Sequence, residues 1–417
     1  MHEVMTLPGG AGGPSHPGIG TAPVLRIGEI KLDTPVVLAP MAGITNAAYR
    51  QLCREQFESG GGTAGLFVCE MITSRGIVER DRKTLSMLRF DPGEQVRSVQ
   101  LYGVDPLIMA AAAEILCAEY GVGHIDLNFG CPVPKVTRKG GGAALPYKRD
   151  RLRQILTATV QAAARYGVPV TIKTRMGIDR DHQTFLDAGR IAEESGCAAI
   201  ALHGRTAQQA YSGAADWGAI AALKAEVSIP VLGNGDIWEA SDALRMLRKS
   251  GADGVVIGRG CLGRPWLFAD LAEAFSGGVG PDSAGHDRVA PSMRGVRLLS
   301  LGQVAATLRR HAELLAALMG EQHGLTDLRK HMAWYFKGFP VGGELRHRLG
   351  TVSSLGELDQ LLAQLDPGVV FPVSEIGQPR GRQGAPREHV PLPDGWLDDT
   401  SEWDLDLAAA ELGVSGG

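Results

Sequence analysis

Several short segments of this 417-residue chain carry residue types that can do chemistry, each directly after an apolar run. Asn128 and Cys131 sit in Asn-Phe-Gly-Cys-Pro, Lys173 and Arg175 in Ile-Lys-Thr-Arg, and His203 in His-Gly-Arg. A buried Lys or His at the end of such a run can be a satisfied structural group, but several convergent polar ends are hard to explain as structure alone. Lys173 could form a Schiff base, as in an aldolase, or hold an anionic or electron-rich cofactor ring. His203 can donate to the same ring. The amide of Gln100 can bond an edge that displays both donors and acceptors, as the pyrimidine edge of a flavin does. Pro40, Met41 and Ala42 offer backbone and apolar contact to a flat ring. The turns Asn234-Gly235-Asp236 and Gly258-Arg259 read as a phosphate site: glycines let backbone N–H groups approach phosphate oxygens, and Arg259 adds charge-assisted bonds. One phosphate site, one polar-edged ring and one cation beside it favour FMN over the Schiff-base reading without closing the latter.

Cys131 differs from the other five cysteines in its setting, between Gly130 and Pro132 at the end of an apolar run. A thiol with an ordinary pKa of about 8.5 keeps its proton at neutral pH and can donate it. The remaining cysteines read as small buried hydrophobes. No Cys-x-x-Cys occurs, so the set suggests isolated thiols in a reducing cytoplasm and no metal site. Gly258-Arg259-Gly260-Cys261-Leu262-Gly263 matches G-x-G-x-x-G, but a dinucleotide fingerprint follows the first strand of its fold and this follows the last, so that reading is rejected.

Elements must bring these residues together. Strand candidates run over Val36–Ala39, Leu66–Met71, Ser98–Tyr102, His124–Leu127, Val170–Thr174, Ala199–His203, Pro230–Gly233 and Gly254–Ile257. Amphipathic stretches such as Pro106–Tyr120, Arg151–Tyr166, Phe185–Ser195 and Trp238–Lys249 lie between them. Apolar strands alternating with helices imply a parallel sheet covered on both faces. Eight such units imply an α/β fold, a (β/α)8 TIM barrel whose chemistry sits at the strand C-terminal ends; a doubly wound sheet is the alternative. The chain divides into a Gly/Pro-rich disordered leader (1–23), the barrel (24–276), a linker (277–297), a small all-α helical bundle (298–368) and an acidic, disordered tail (369–417). The bundle reads as four helices, Leu299–Met319, Leu325–Phe339, Glu344–Leu349 and Leu355–Leu365, with a capping box at Ser354 and Glu357.

The net charge of −4 argues weakly against a nucleic-acid partner. From Ser374 onward, however, nine acids face three arginines, so the rest of the chain is mildly basic and the local field decides. In the second helix of the bundle Leu328, Met332, Tyr335 and Phe339 share one face, with Lys330, Trp334 and Lys337 opposite. A basic face with an interleaved aromatic suits RNA. Arg346, His347 and Arg348 add charge nearby, and Lys135, Arg138 and Lys139 after Cys131 could meet RNA phosphates. No apolar run is long enough for a membrane span. No secretory signal stands at the start, and nothing calls for an obligate protein partner.

The segments APMAGITN, EMI, VQLYG, NFGCPVPKV, GGGAAL, IKTRMG, HGRTA, NGDI and GADGVVIGRG occur in that order. In them the chain resembles the tRNA-dihydrouridine synthases, and GRGCLGRPW is most similar to the bacterial DusB subfamily. The resemblance spans roughly Leu25–Leu349. It implies a cytoplasmic flavoenzyme with tightly bound FMN and NADPH as reductant. Such an enzyme reduces the C5=C6 bond of particular tRNA uridines to 5,6-dihydrouridine, with hydride passing from flavin N5 to C6. Carried over, the flavin contacts fall on Pro40, Met41, Ala42, Gln100, Lys173, His203, Asn234, Gly235, Asp236, Gly258 and Arg259. Cys131 becomes the proton donor to C5, Asn128 and Arg175 touch the uracil, and the helical domain grips the tRNA, with Lys135, Lys330 and Lys337 as candidate contacts.

Overall fold

Eight short runs rich in β-branched and apolar residues pair edge to edge, all parallel, and close on themselves. They are β3 (Val36–Leu38), β4 (Leu66–Thr73), β5 (Ser98–Tyr102), β6 (His124–Phe129), β7 (Val170–Arg175), β8 (Ala199–His203), β9 (Val231–Asn234) and β10 (Gly254–Ile257), with β10 pairing β3 to complete the barrel. This computed structural model describes residues 24–276 and 296–401, so the leader, nearly all of the expected linker and the last sixteen residues lie outside the described residues. Outward side chains of the strands pack under the surrounding helices. The helix Pro106–Tyr120 shows how the sequence sets these: Asp105 accepts from the amides of Leu107 and Ile108, Pro106 opens the first turn, and Gly121 closes the helix at φ 59°. No helix among the described residues is long and apolar enough to cross a membrane.

One element has no counterpart in the sequence expectation. Ahead of the barrel, β1 (Leu25–Ile27) and β2 (Ile30–Leu32) form an antiparallel hairpin turned at Gly28, whose φ is 57°. Leu25, Ile27 and Leu32 pack on the inward residues Val37, Leu66, Val68, Ala199, Leu232 and Val256. Three-residue strands carry too little alternation to be read as strands alone; the hairpin is stabilised by the apolar barrel end it covers.

The helical domain comprises Leu301–Met319, Glu321–Tyr335, Gly343–Leu349 and Leu355–Leu362. The Ser354 hydroxyl caps the last helix by accepting from the Glu357 amide, but the Glu357 carboxylate takes the amide and hydroxyl of Ser353, so the expected box is only half formed. A reciprocal box stands instead at Ser300 and Gln303. The domain docks on the barrel through Tyr49, whose hydroxyl donates to the Cys261 carbonyl at 2.6 Å and whose ring packs against His311 and His331.

The expectation of a disordered tail from 369 is corrected as far as Ser401. Phe371, Arg380, Val390 and Trp396 are buried. Arg380 donates to the carbonyls of Leu262 and Trp334, and Trp396 Nε1 to Ala144 O at 3.2 Å. Composition misleads here because the segment needs no core of its own: its few large side chains insert into the barrel's loops.

Docking depends on one close approach. Gly263 has φ 64°, and a Cβ there would stand 2.2 Å from the Trp334 carbonyl carbon. Gly263→Ala should cost roughly 1–2 kcal/mol through the backbone alone, and more because the helix Glu321–Tyr335 must move. Thermal unfolding should show a lowered midpoint, and a midpoint equal to wild type would mean that the contact is not needed.

Candidate functional site

The strand C-terminal ends surround a cleft of about 350 Å3. All eleven residues expected to hold the cofactor line it, together with Asn128, Cys131 and Arg175. Lys135, Lys330 and Lys337 are not among its lining residues.

A hydrogen-bond ladder runs up the barrel interior to this cleft. Inward positions alternate along each strand, and on β5, β6 and β7 they are polar: Ser98 and Gln100, then His124, Asp126 and Asn128, then Thr171 and Lys173. Asp126 is the node. Its carboxylate accepts from Gln100 Nε2 and from Thr171 Oγ1, both at 2.7 Å, and burial raises its pKa to about 6. Gln100 Oε1 then accepts from Asn128 Nδ2 at 2.8 Å. Asn128 Oδ1 accepts the amides of Gly130 and Cys131 at 3.1 and 2.9 Å. Asp126 escaped the sequence reading, although the inward alternation 124-126-128 could have marked it.

Two residues expected on the uracil also hold the protein's own backbone. The Asn128 amide is hydrogen-bonded on both sides and fastens the Cys131 loop. Arg175 likewise spends Nε on Gly130 O at 2.9 Å and Nη1 on the carbonyls of Thr206 and Ala210. Gln100, by contrast, keeps one N–H and one lone pair to offer a ligand.

Lys173 is half-buried at the cleft, with no hydrogen-bonded partner among the described residues. Burial and the neighbouring Arg175 lower its pKa to about 8, against the pull of Asp126 and Cys131. Burial, with Arg175, Lys173, Arg205 and Arg259 around it, holds His203 well below its usual pKa, so the ring is neutral. Arg205 Nη1 lies 3.4 Å from its Nε2, which places the ring proton on Nδ1. Burial raises the Cys131 thiol above its usual pKa, so it keeps its proton at neutral pH.

At the turns, Asn234 Nδ2 donates to Val256 O and ties β9 to β10. The Asp236 side chain is used within the protein: Arg205 Nη2 donates to both its oxygens and Ala215 N to one, so only the backbone of this residue faces a ligand freely. Arg259 lies over the rings of Tyr211 and Trp238, 4.4 and 5.1 Å from their centroids, and donates to Arg382 O. Tyr211, Trp238, Trp334 and Arg382 were missed as lining residues. None has a strand-end position, and Arg382 belongs to the segment read as disordered.

The basic residues expected on the helical domain also hold the protein's own chain. Lys330 Nζ donates to Gly43 O and pairs with Asp327, while Gly43 N donates to Glu70 Oε2. Lys337 pairs with Glu375 at 2.9 Å and donates to Pro379 O. Opposite its apolar face the helix meets the β3 loop and the C-terminal segment, so both lysines take part in docking while remaining partly exposed. Lys135 and Arg138 are exposed.

Fold and cleft together define a βα-barrel enzyme with its site at the strand C-terminal ends. A family model for dihydrouridine synthase matches residues 37–366. A probable tRNA-dihydrouridine synthase of Mycobacterium tuberculosis is 54% identical over 400 residues, covering 95% of this chain and 98% of the relative. One of Mycobacterium leprae is 52% identical, covering 91% and 100%. A tRNA-dihydrouridine synthase B of Pseudomonas aeruginosa is 38% identical, covering 78% and 90%. The chain belongs to the dihydrouridine synthase family, a family of oxidoreductases.

The pair Asp126–Lys173 makes the cleft pH-dependent. Lys173 is charged below about 8 and loses its proton as pH rises through that value. Affinity for a flavin, measured by calorimetry, should fall over the same range. In Asp126→Asn the negative charge that favours the ammonium is gone, so the fall should move to lower pH. An unmoved profile would separate Asp126 from Lys173.

Proposed function

We propose that this chain is an FMN-dependent, NADPH-consuming tRNA-dihydrouridine synthase of the cytoplasm that reduces the C5=C6 bond of uridines in tRNA. The observation that carries the reading is the pairing, in one cleft, of a flat-ring cradle with a protonated thiol. The cradle fits FMN: Lys173 has no hydrogen-bonded partner among the described residues, Gln100 retains one donor and one acceptor, and Pro40, Met41 and Ala42 form an apolar wall. The phosphate end fits too. A Cβ on Gly258 would meet only Ala39, at 3.9 Å, so the backbone there is open to a ligand, and Arg259 stands beside it.

When bound, FMN restored by NADPH supplies a hydride to C6 of uracil. The chain's own residues do the rest. Lys173 and the Nδ1–H of His203 donate to the ring edge of the cofactor, and Gln100 reads its mixed donor and acceptor side. Negative charge that develops on C5 and O4 of the uracil is relieved when Cys131 Sγ gives its proton to C5. The target base must leave its stack to reach a concave mouth. The rest of a large RNA then lies on the surrounding surface, where Lys135 and Arg138 beside the Cys131 loop and the helical domain meet its phosphates. The cations at the mouth, Lys173, Arg175, Arg205 and Arg259, outnumber the carboxylates of Asp126 and Asp236 beside them and favour anionic partners.

Gly258→Val places a branched side chain in open space, so the protein should fold with an unchanged circular dichroism spectrum yet purify without flavin colour. Full flavin occupancy would remove the phosphate end from this turn.

Cys131→Ala should stay yellow, and NADPH should still bleach the flavin at the wild-type rate. Uridine reduction should drop by roughly 10²–10⁴-fold, as expected for a lost general acid. Anaerobic rapid mixing of the reduced protein with tRNA measures this directly. Reoxidation as fast as wild type would transfer the acid role to another group such as Tyr102, which packs beside Cys131.

A further inference from the structure

The segment Pro379–Thr400 belongs to neither the barrel nor the helical bundle, yet it lies along the loop that carries Cys131. That loop makes a long excursion between β6 and the helix Arg149–Ala164, through a helical turn at Pro134–Thr137 and a tighter one at Gly142–Tyr147. On the barrel side it is fastened by Asn128, by Arg175 on Gly130 O, and by Ala143 N on Cys131 O at 3.0 Å. On the outer side it is fastened by the C-terminal segment. Arg387 Nη1 donates to Pro132 O, the carbonyl next to the thiol residue. Trp396 Nε1 donates to Ala144 O, Tyr147 Oη to Leu397 O at 3.0 Å, Lys148 Nζ to Asp399 O, and Arg149 N to Thr400 O at 3.2 Å. Arg387 is itself anchored: its amide donates to Gln208 O at 2.9 Å, and Gln208 Nε2 donates to Glu388 O at 3.1 Å. Trp396 is buried among Ala143, Ala144, Ile178 and Ala207.

We infer that this segment is a strap that positions the active-site thiol, and that Arg387, by holding the Pro132 carbonyl, is a positioning residue for Cys131 Sγ. The inference deepens the proposed function and rests on Cys131 being the acid of that reaction. A surface tail that merely covered apolar residues would need the Trp396 contact alone. It would not need a guanidinium on the carbonyl adjoining the thiol residue, from a residue whose backbone is tied to the loop after β8. An alignment that covers 95% of this chain must also run through most of the strap.

The charged groups acting on Cys131 come from two elements: Arg175 and Lys173 on β7, and Arg387 on the strap. All three favour its thiolate, as does the Val133 amide, while burial opposes them and prevails. Removing Arg387 therefore has two separable effects. The thiol should hold its proton more tightly, and the loop should lose its outer fastening.

The test uses the full-length, flavin-loaded protein and the variants Arg387→Ala and Arg387→Lys. Alkylation of Cys131 by iodoacetamide is followed by peptide mass spectrometry across a pH series; the other five cysteines are buried. The midpoint reports the thiol's pKa, which loss of the Arg387 charge raises and any added exposure of the loop lowers, while the limiting rate reports that exposure separately. In Arg387→Ala the midpoint should move to higher pH, and single-turnover reduction of tRNA should slow by up to about 10²-fold, the scale of a misplaced reacting group. The KM for tRNA and flavin bleaching by NADPH should be unchanged. Arg387→Lys should restore both readouts in part. An alkylation profile that superimposes on wild type overturns the inference. A shifted profile with normal tRNA reduction supports the placement of Arg387 at the thiol and overturns the acid role of Cys131, so the two failures are distinguishable. Should Arg387→Ala not retain flavin, Arg387→Gln, which keeps a donor for Pro132 O without the charge, decides by the same profile: a shift supports the inference and superposition overturns it.

Discussion

A carboxylate inside a closed barrel must find its hydrogen bonds in the strands around it, because water cannot supply them. Asp126 meets that requirement with Thr171 on one oxygen and Gln100 on the other, and the consequences spread both ways. Upward, Gln100 must turn its carbonyl to Asn128, and Asn128 must turn its own to the amides of Gly130 and Cys131. Downward, the Thr171 proton is spent on Asp126, so Thr171 Oγ1 accepts from His124 Nε2–H, and His124 Nδ1 accepts from Ser98. Burial keeps that imidazole neutral, with a pKa lowered to about 3, which this tautomer requires. One buried charge thus fixes the direction of five side chains and ends at the backbone of the thiol residue.

The cations of the mouth obey a second rule. Arg175 donates to the main-chain carbonyls of Gly130, Thr206 and Ala210, whereas Arg205 divides its donors between the carbonyls of Ser212 and Gly213 and the carboxylate of Asp236. Carbonyls satisfy the donors without cancelling the charge. The loops after β6 and β8 are thereby folded around guanidinium groups, and the charge of Arg175, held by carbonyls alone, remains available to an anion. A mouth built on carboxylate partners would hold the same loops but offer no such field. His203 stays neutral within this field and so remains a directional donor.

The sequence disclosed what depends on local pattern. All eight barrel strands stand where alternating apolar runs put them, and strand-end position alone brought Lys173, His203, Cys131 and the two glycine turns to one cleft. What escaped it depends on long-range pairing. Asn128 and Arg175 have the residue types to touch a substrate, but only the fold shows that they also hold the loops after β6 and β8. Lys330 and Lys337 make a basic stripe in helical projection, yet the β3 loop and the C-terminal segment lie against that stripe. Arg382 and Arg387 sit in a stretch whose composition argues for disorder. Their place at the mouth comes from residues more than a hundred positions earlier, Arg259 and Pro132.

These misread residues share a location that explains why they exist. A barrel fixes its strands rigidly, but the loops beyond the strand ends have few backbone partners of their own and open more readily than the core. Two walls of this cleft consist of such loops: Pro40–Ile44, which faces the ring cradle, and Gly130–Val133, which carries the thiol. Each is fastened from outside by chain that follows the barrel. Lys330 holds Gly43 while Glu70 holds the same residue from within. Arg387 holds Pro132 while Arg175 holds Gly130. On the proposed function the site admits a base drawn out of a large RNA, so it cannot be roofed over and its walls cannot be steadied by a lid. Clamping each wall from its outer side leaves the mouth open and still fixes the distance between cradle and thiol, the distance that the proposed delivery of a hydride and a proton to neighbouring carbons would require.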